Sequence, residues 1–178
     1  MSIEKEYLKV VRERFTSIKM LGEKTMEQLS DEDICWSYNG ESNSIAVIVK
    51  HMSGNMISRW TDFLETDGEK PDRNRDMEFS EDMPTKSELM QVWQKGWDCL
   101  LHAITNLSEE DLVKKVSIRG ESHSVIEAME RQVSHYSYHI GQMVYLGKMI
   151  KNDQWKSLSI PKGQSEEYLK QMLEKHGK

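Results

Sequence analysis

Apolar side chains recur every three to four positions through four long stretches of this 178-residue chain, and only three prolines interrupt it. That spacing puts them on one stripe of an α-helix, whereas a half-buried strand needs strict alternation. From Ile3 to about Leu29 the stripe is Ile3, Tyr7, Val10, Val11, Ile18 and Leu21, with Glu, Lys and Arg around the rest. A second helix, capped by Ser42 or Ser44, carries Ile45, Ile48, Met52, Met56, Trp60 and Phe63 and is expected to end near Thr66-Asp67-Gly68. A third opens after Pro84 with the capping box Thr85-Lys86-Ser87-Glu88 and continues through Leu89, Val92, Trp93, Leu100, Ile104 and Leu107. A fourth starts around Ser122 to Ser124 and ends at Met149 or Ile150. Ser165 is then expected to cap a short tail helix bearing Tyr168, Leu169, Met172 and Leu173. No stretch reads as a strand of any length.

These elements predict one all-α domain over residues 1–178, with 157–178 as an extended segment and tail helix. Between the second and third helices lie roughly 17 charge-rich residues, Thr66 to Asp82, which at ~3.3 Å per residue can run back along a helix of about 30 Å. The second and third helices can then be parallel, giving an up-down-down-up four-helix bundle with one long crossover; up-down-up-down is the alternative. The segment Leu29-Ser30-Asp31-Glu32-Asp33-Ile34 echoes Leu107-Ser108-Glu109-Glu110-Asp111-Leu112. Duplication of a helical hairpin and shared capping chemistry both account for it.

Charge narrows the partners. With 24 Lys+Arg against 30 Asp+Glu, net −6, the overall field repels phosphate backbones and anionic lipid, so nucleic acid is not expected. The longest apolar runs are of the Ile45-Ala46-Val47-Ile48-Val49 kind, far short of the ~20 residues of a membrane span. The start Met1-Ser2-Ile3-Glu4 has no basic-then-apolar signal region, which predicts a cytoplasmic protein. Cys35 and Cys99 are too few for a disulfide framework and read as small buried residues. The twelve methionines include Met52, Met56, Met129, Met143 and Met149 on the second and fourth helices, as core filler or as a deformable wall of a binding site.

The six histidines carry the most specific chemistry. His135 and His139 stand four apart, so their imidazoles emerge one turn apart on the same side of the fourth helix. Tyr136 occupies the place where a His-Glu-x-x-His protease needs its general base, which excludes that mechanism. His51 lies on a strip of the second helix that continues through Gly54, Asn55 and Ser58, small and polar within a mostly apolar helix. A buried histidine needs a partner, so it is either hydrogen-bonded in the core or bound to something. With His135 and His139 it completes three neutral nitrogens suited to zinc, nickel or iron, with coordination positions left open. Asn55, Arg131 and Gln142 are candidate pocket residues. Arg59, Arg73 and Arg75 suit either an anion or salt bridges with the acidic crossover. His102, His123 and His176 read as a boundary residue, the start of the fourth helix and the tail.

One histidine in the middle of the second helix and a His-x3-His pair on the fourth resemble the DinB-like (YfiT-like) metal-dependent bundle superfamily. The stretch Asn43 to Arg75, with Lys50-His51-Met52, Gly54-Asn55, Arg59-Trp60 and Asp67-Gly68-Glu69-Lys70-Pro71, is similar to a bacterial branch of it without an assigned reaction, as is Ser159-Ile160-Pro161-Lys162-Gly163-Gln164-Ser165. The resemblance implies an up-down-down-up bundle, a divalent metal at His51, His135 and His139, and a homodimer. It also implies a small-molecule ligand: better-understood relatives are transferases or isomerases that use low-molecular-weight thiols. A metal-dependent thiol transferase and a noncatalytic metal-binding or scaffold protein are the two functions left open.

Overall fold

Four long helices form because each amphipathic run is preceded by a side chain that caps the free amides of its first turn. The computed structural model describes residues 2–80 and 82–177. Helix α1 (Ile3–Glu27) is capped by Ser2, α3 (Ile45–Trp60) by Ser44, α4 (Lys86–Thr105) by the Thr85/Glu88 capping box and α5 (Val125–Lys151) by Ser124. A short α2 (Asp31–Cys35) and the tail helix α6 (Ser165–Lys175) bring the α-helices among the described residues to six. Both members of the echoed pair of segments have a capping box, Ser30/Asp33 and Ser108/Asp111; the first opens α2 and the second a 3-10 turn. α6 begins on an uncapped Gln164, with Ser165 already inside the helix.

α1 lies against α4 and α5, and α3 against the same two helices. The stripe of α1 that reaches the core is Leu8, Val11, Phe15, Ile18 and Met26, while Ile3 and Val10 face solvent, a correction to the expected stripe. The centre is aromatic: Phe15, Trp60, Trp97 and Tyr136 pack together, and Trp93 adjoins Trp97. Tyr136 is buried; its hydroxyl donates to Asn55 Oδ1 (2.9 Å) and accepts from Trp60 Nε1 (3.2 Å). Of the methionines, Met52, Met56, Met129 and Met143 are core, whereas Met149 is partly exposed. Cys35 and Cys99 are free thiols, half-buried.

Two features depart from the sequence expectation. α3 stops at Trp60, about 24 Å long, because the chain turns at Asp62 (φ 46°) and comes straight back. Ser58 draws it in, donating to the Gly68 carbonyl (2.9 Å) and accepting from the Lys70 amide (3.0 Å), and Arg59 also donates to the Gly68 carbonyl. Further along, Glu78 covers Gly54, and Lys50 holds Ser80 and Asp82, so the crossover retraces α3 toward its N-terminus. The second departure is an antiparallel hairpin, β1 (Lys115–Ile118) and β2 (Glu121–Ser124), where no strand was expected. Its two-residue turn, Arg119-Gly120, has φ of 56° and 76°, the positive pair that a type I′ turn demands. A non-glycine residue there is strained. Asp67 offsets the strain by accepting from the amides of Arg119 and Gly120 (2.8 Å each) and from Ser117. Led by the Ser117 hydrogen bond, these contacts hold the Asp67 carboxyl well below the usual carboxylate range.

α3 and α4 touch through very small residues. A Cβ on Gly96 would stand 2.8 Å from Ser53 Cα, and Ser53 Oγ donates to the Val92 carbonyl at 2.7 Å. Gly96→Ala is therefore expected to destabilise the protein by about 1–3 kcal/mol, although alanine is the better helix former by ~1 kcal/mol. The shift of the urea midpoint measures it; unchanged or higher stability would show that the two backbones can separate freely.

Candidate metal centre

His135 and His139, one turn apart on α5, face His51 at the middle of α3. His135 Nε2 lies 3.3 Å from His51 Nε2 and 3.1 Å from His139 Nε2, and one ring nitrogen from each residue falls within 4.8 Å of the other two. Such an arrangement could hold a metal ion. The far nitrogens fix the tautomers. His51 Nδ1 is 3.0 Å from Glu78 Oε2, and an ionised carboxylate only accepts, so Nδ1 carries the proton. His139 Nδ1 is 2.9 Å from Gln142 Oε1, which accepts in the same way. Both rings therefore turn an Nε2 lone pair inward. Either a proton on His135 Nε2 or a cation satisfies these lone pairs, and ligand nitrogens on a metal at about 2.0–2.1 Å stand ~3.3 Å apart in a tetrahedron. The donor set fits a divalent ion.

Glu78 was not expected from the sequence. It is buried, and Arg73 grips it with two parallel bonds, Nε to Oε1 (2.7 Å) and Nη2 to Oε2 (2.9 Å). Burial opposes its ionisation, but the hydrogen bonds from His51 and Arg73 outweigh that and leave its pKa below the ordinary value. It reaches His51 only because residue 54 is glycine, since a Cβ there would run into its carboxylate. The small polar strip of α3 is thus the track on which the crossover lies. Gly54 admits Glu78, Asn55 holds Tyr136, and Ser58 holds Gly68 and Lys70.

Beside the histidines opens a cavity of about 460 Å³ that reaches His51 and His135 and is lined also by Asn55, Gln132 and Arg131. Two of the three pocket residues expected from the sequence, Asn55 and Arg131, are on its wall. The third, Gln142, orients His139 and lines a separate cavity of about 660 Å³ with Tyr38, Tyr138, Tyr145 and Met149. Of the two uses open to them, Arg59 and Arg73 make salt bridges with crossover carboxylates, whereas Arg75 lies over the Phe79 ring. His102 bonds to Asn106 on exposed surface, and His123 is buried on β2; neither belongs to the cluster.

A family model described as a protein of unknown function, DUF1572, matches residues 2–164. The chain belongs to that family, and the match ends just before α6. No curated protein matches it.

Burial, then the neighbouring His139 and His51 rings, pushes the His135 pKa down to about 3, and burial lowers that of His139 as well. An unfolded histidine titrates near 6.5, so below that pH the unfolded chain binds more protons and the folded state loses ground. Chelator-treated protein is expected to lose stability as pH falls from about 6.5 toward about 3. The part between about pH 6.5 and 5 lies above the carboxylate range. Urea midpoints across that interval should fall less steeply for His135→Ala than for the parent; equal slopes would count against the depressed pKa. Gly54→Ala leaves all three histidines in place but displaces Glu78. It is expected to weaken metal affinity about 10–100-fold in competition with a chromophoric chelator.

Proposed function

We propose that this protein is a DinB-like metal-dependent bundle protein that holds a divalent ion, zinc, nickel or iron, through His51, His135 and His139. In this reading it uses the ion to activate a low-molecular-weight thiol toward an electrophilic small molecule. The observation that carries the proposal is the convergence of three Nε2 atoms from two helices, with the outer nitrogens of two rings already bound to Glu78 and Gln142. Structural zinc sites are usually closed by four protein ligands, and three imidazoles beside a cavity leave room for a ligand.

The contacts support an up-down-down-up arrangement. Tyr7 meets Glu130 and Gly22 approaches Ile140, so α1 and α5 run the same way. Ser53 meets Val92 and Thr61 meets Cys99, so α3 and α4 run together, while Arg12 at Ile104 and Lys86 at Glu27 oppose α1 to α4. Pairing of two copies belongs to the same proposal, and the exposed Tyr168, Leu169 and Leu173 of α6 offer apolar surface for it.

A bound divalent ion supplies Lewis acidity that lowers the pKa of a neighbouring thiol, favouring the thiolate near neutral pH. The residues do the rest. Glu78 keeps the His51 proton on Nδ1, Gln142 does the same for His139, and the buried Asn55–Tyr136–Trp60 chain braces the wall between the two helices. The thiolate sulfur forms a bond to the electrophilic carbon as the leaving group departs with its electrons, and no protein cysteine is required.

Metal analysis of untagged protein should find one equivalent in the parent and less than about a tenth of that in His51→Ala and His135→Ala. Stoichiometric metal persisting in both variants would remove the site assignment. Loss of a model electrophile is then followed with a panel of small thiols. Metal-dependent turnover supports the transferase, and bound metal without turnover across the panel leaves the noncatalytic metal-binding protein.

A further inference from the structure

The cavity beside the three histidines is ringed by guanidinium groups in a chain whose net charge is −6. Arg59 comes from α3, Arg73 and Arg75 from the crossover, Arg119 from the hairpin turn and Arg131 from α5. Four separate segments thus deliver five positive charges, all arginine, to one cavity of about 460 Å³. Two carboxylates oppose them. Glu69 takes Arg59 (3.1 Å), Arg119 (3.0 Å) and, at 3.5 Å, Arg73; Glu78 takes Arg73 and His51. Among the described residues Arg75 and Arg131 have no carboxylate partner, so an excess of positive charge remains at the mouth.

Two buried groups in the wall are also unsatisfied. Arg59 is 5% exposed and Gln132 4%, yet Arg59 Nε and Gln132 Oε1 have no hydrogen-bond partner. Both atoms are closed off from solvent, and Arg59 Nε is a donor still without an acceptor. Gln132 lines the cavity, and its amide NH2 is the half of the group that can donate to an anion. Phe79 stacks against both His51 (5.2 Å) and Arg75 (5.1 Å), so the Arg75 plane is held beside the cluster.

We propose that this cavity is an oxyanion subsite, in which Arg59, Arg75, Arg131 and Gln132 seat a carboxylate or phosphate group of a small molecule whose other end faces His51 and His135. The subsite deepens the metal-dependent reading and rests on it only for the role of the anion's far end. Arginine suits the task because its planar fork binds either oxyanion with two parallel hydrogen bonds. The volume falls in the ordinary range for small-molecule sites. Arg73 and Arg119 contribute charge while they keep the crossover and hairpin in place through Glu69 and Glu78.

The test is calorimetric titration of the full chain as purified, at low ionic strength, with inorganic phosphate and, separately, succinate. Arg75→Gln and Arg131→Gln alter exposed side chains and are expected to fold as the parent does, with unchanged helical circular dichroism and metal content. Each should weaken the better-bound anion about tenfold, while Lys95→Gln on the outer face of α4 leaves it unchanged. Affinity should also fall as salt is added. Whichever of phosphate and succinate binds more tightly names the oxyanion class. Absence of binding by either up to about 10 mM, or affinities that neither arginine variant weakens, would overturn the subsite. Anion binding weakened by Arg131→Gln in protein that holds no metal would leave the subsite standing and overturn the metal reading instead. Stoichiometric metal without anion binding is the reverse result.

Discussion

One buried carboxylate, that of Glu78, organises the site and the chain around it. It accepts from His51 Nδ1 and twice from Arg73, with only 8% of the residue exposed. An ion taken from water at that depth is tolerated only when its lone pairs are fully used, so the crossover has to pass over Gly54 on this one line. Once it does, the positions of Glu69 and Asp67 follow. Asp67 then holds the hairpin turn, and Glu69 gathers Arg59, Arg73 and Arg119. A long charged connection that resembles a solvated linker in the sequence thus becomes the wall of the cavity.

The histidine cluster was legible because its signals are local. A four-residue spacing on an amphipathic helix fixes the relative direction of His135 and His139 whatever the rest of the chain does. His51 was legible from contrast: a small polar strip on an apolar helix has to meet something other than core. The same contrast pointed to Asn55, although its firmest contact is the Tyr136 hydroxyl. Glu78 was not legible, since one carboxylate among Glu69, Asp72, Asp76 and Glu78 stands out only after the return path of the crossover is known.

The helix ends and the hairpin failed for related reasons. α3 ends at Trp60 because Ser58 and Arg59 bind the Gly68 carbonyl, a contact over roughly ten residues that leaves no mark in the helical periodicity. In the hairpin, only Val116 and Ile118 alternate inward on β1, and the first turn position holds Arg119 where Asn or Asp is the usual signal. The positive φ of Arg119 is tolerated because Asp67 accepts its amide and Glu69 its side chain. Tertiary contacts overrode local preference there. The stripe of α1 failed differently: Ile3 and Val10 are apolar yet exposed, as scattered surface residues often are, so helical spacing found the helix without finding its buried face.

Strain and charge at this end of the molecule have a common direction. Arg119 occupies an unfavourable backbone region, Arg59 is buried against its preference, and Glu69 divides two oxygens among three guanidiniums. Each arrangement costs free energy on its own, and none adds apolar burial to the core. Mutual repulsion of the guanidiniums would ordinarily splay the hairpin and crossover apart. Asp67 prevents this by fixing the hairpin through backbone amides, so the turn stays put even where the side-chain charges repel. Backbone contacts at the hairpin turn and the ion pairs of Glu69 and Glu78 therefore hold the frame together, and among the described residues Arg75 and Arg131 stay outside those pairs. That division of labour is what a fold needs if positive charge is to be concentrated next to imidazoles without being consumed by its own salt bridges.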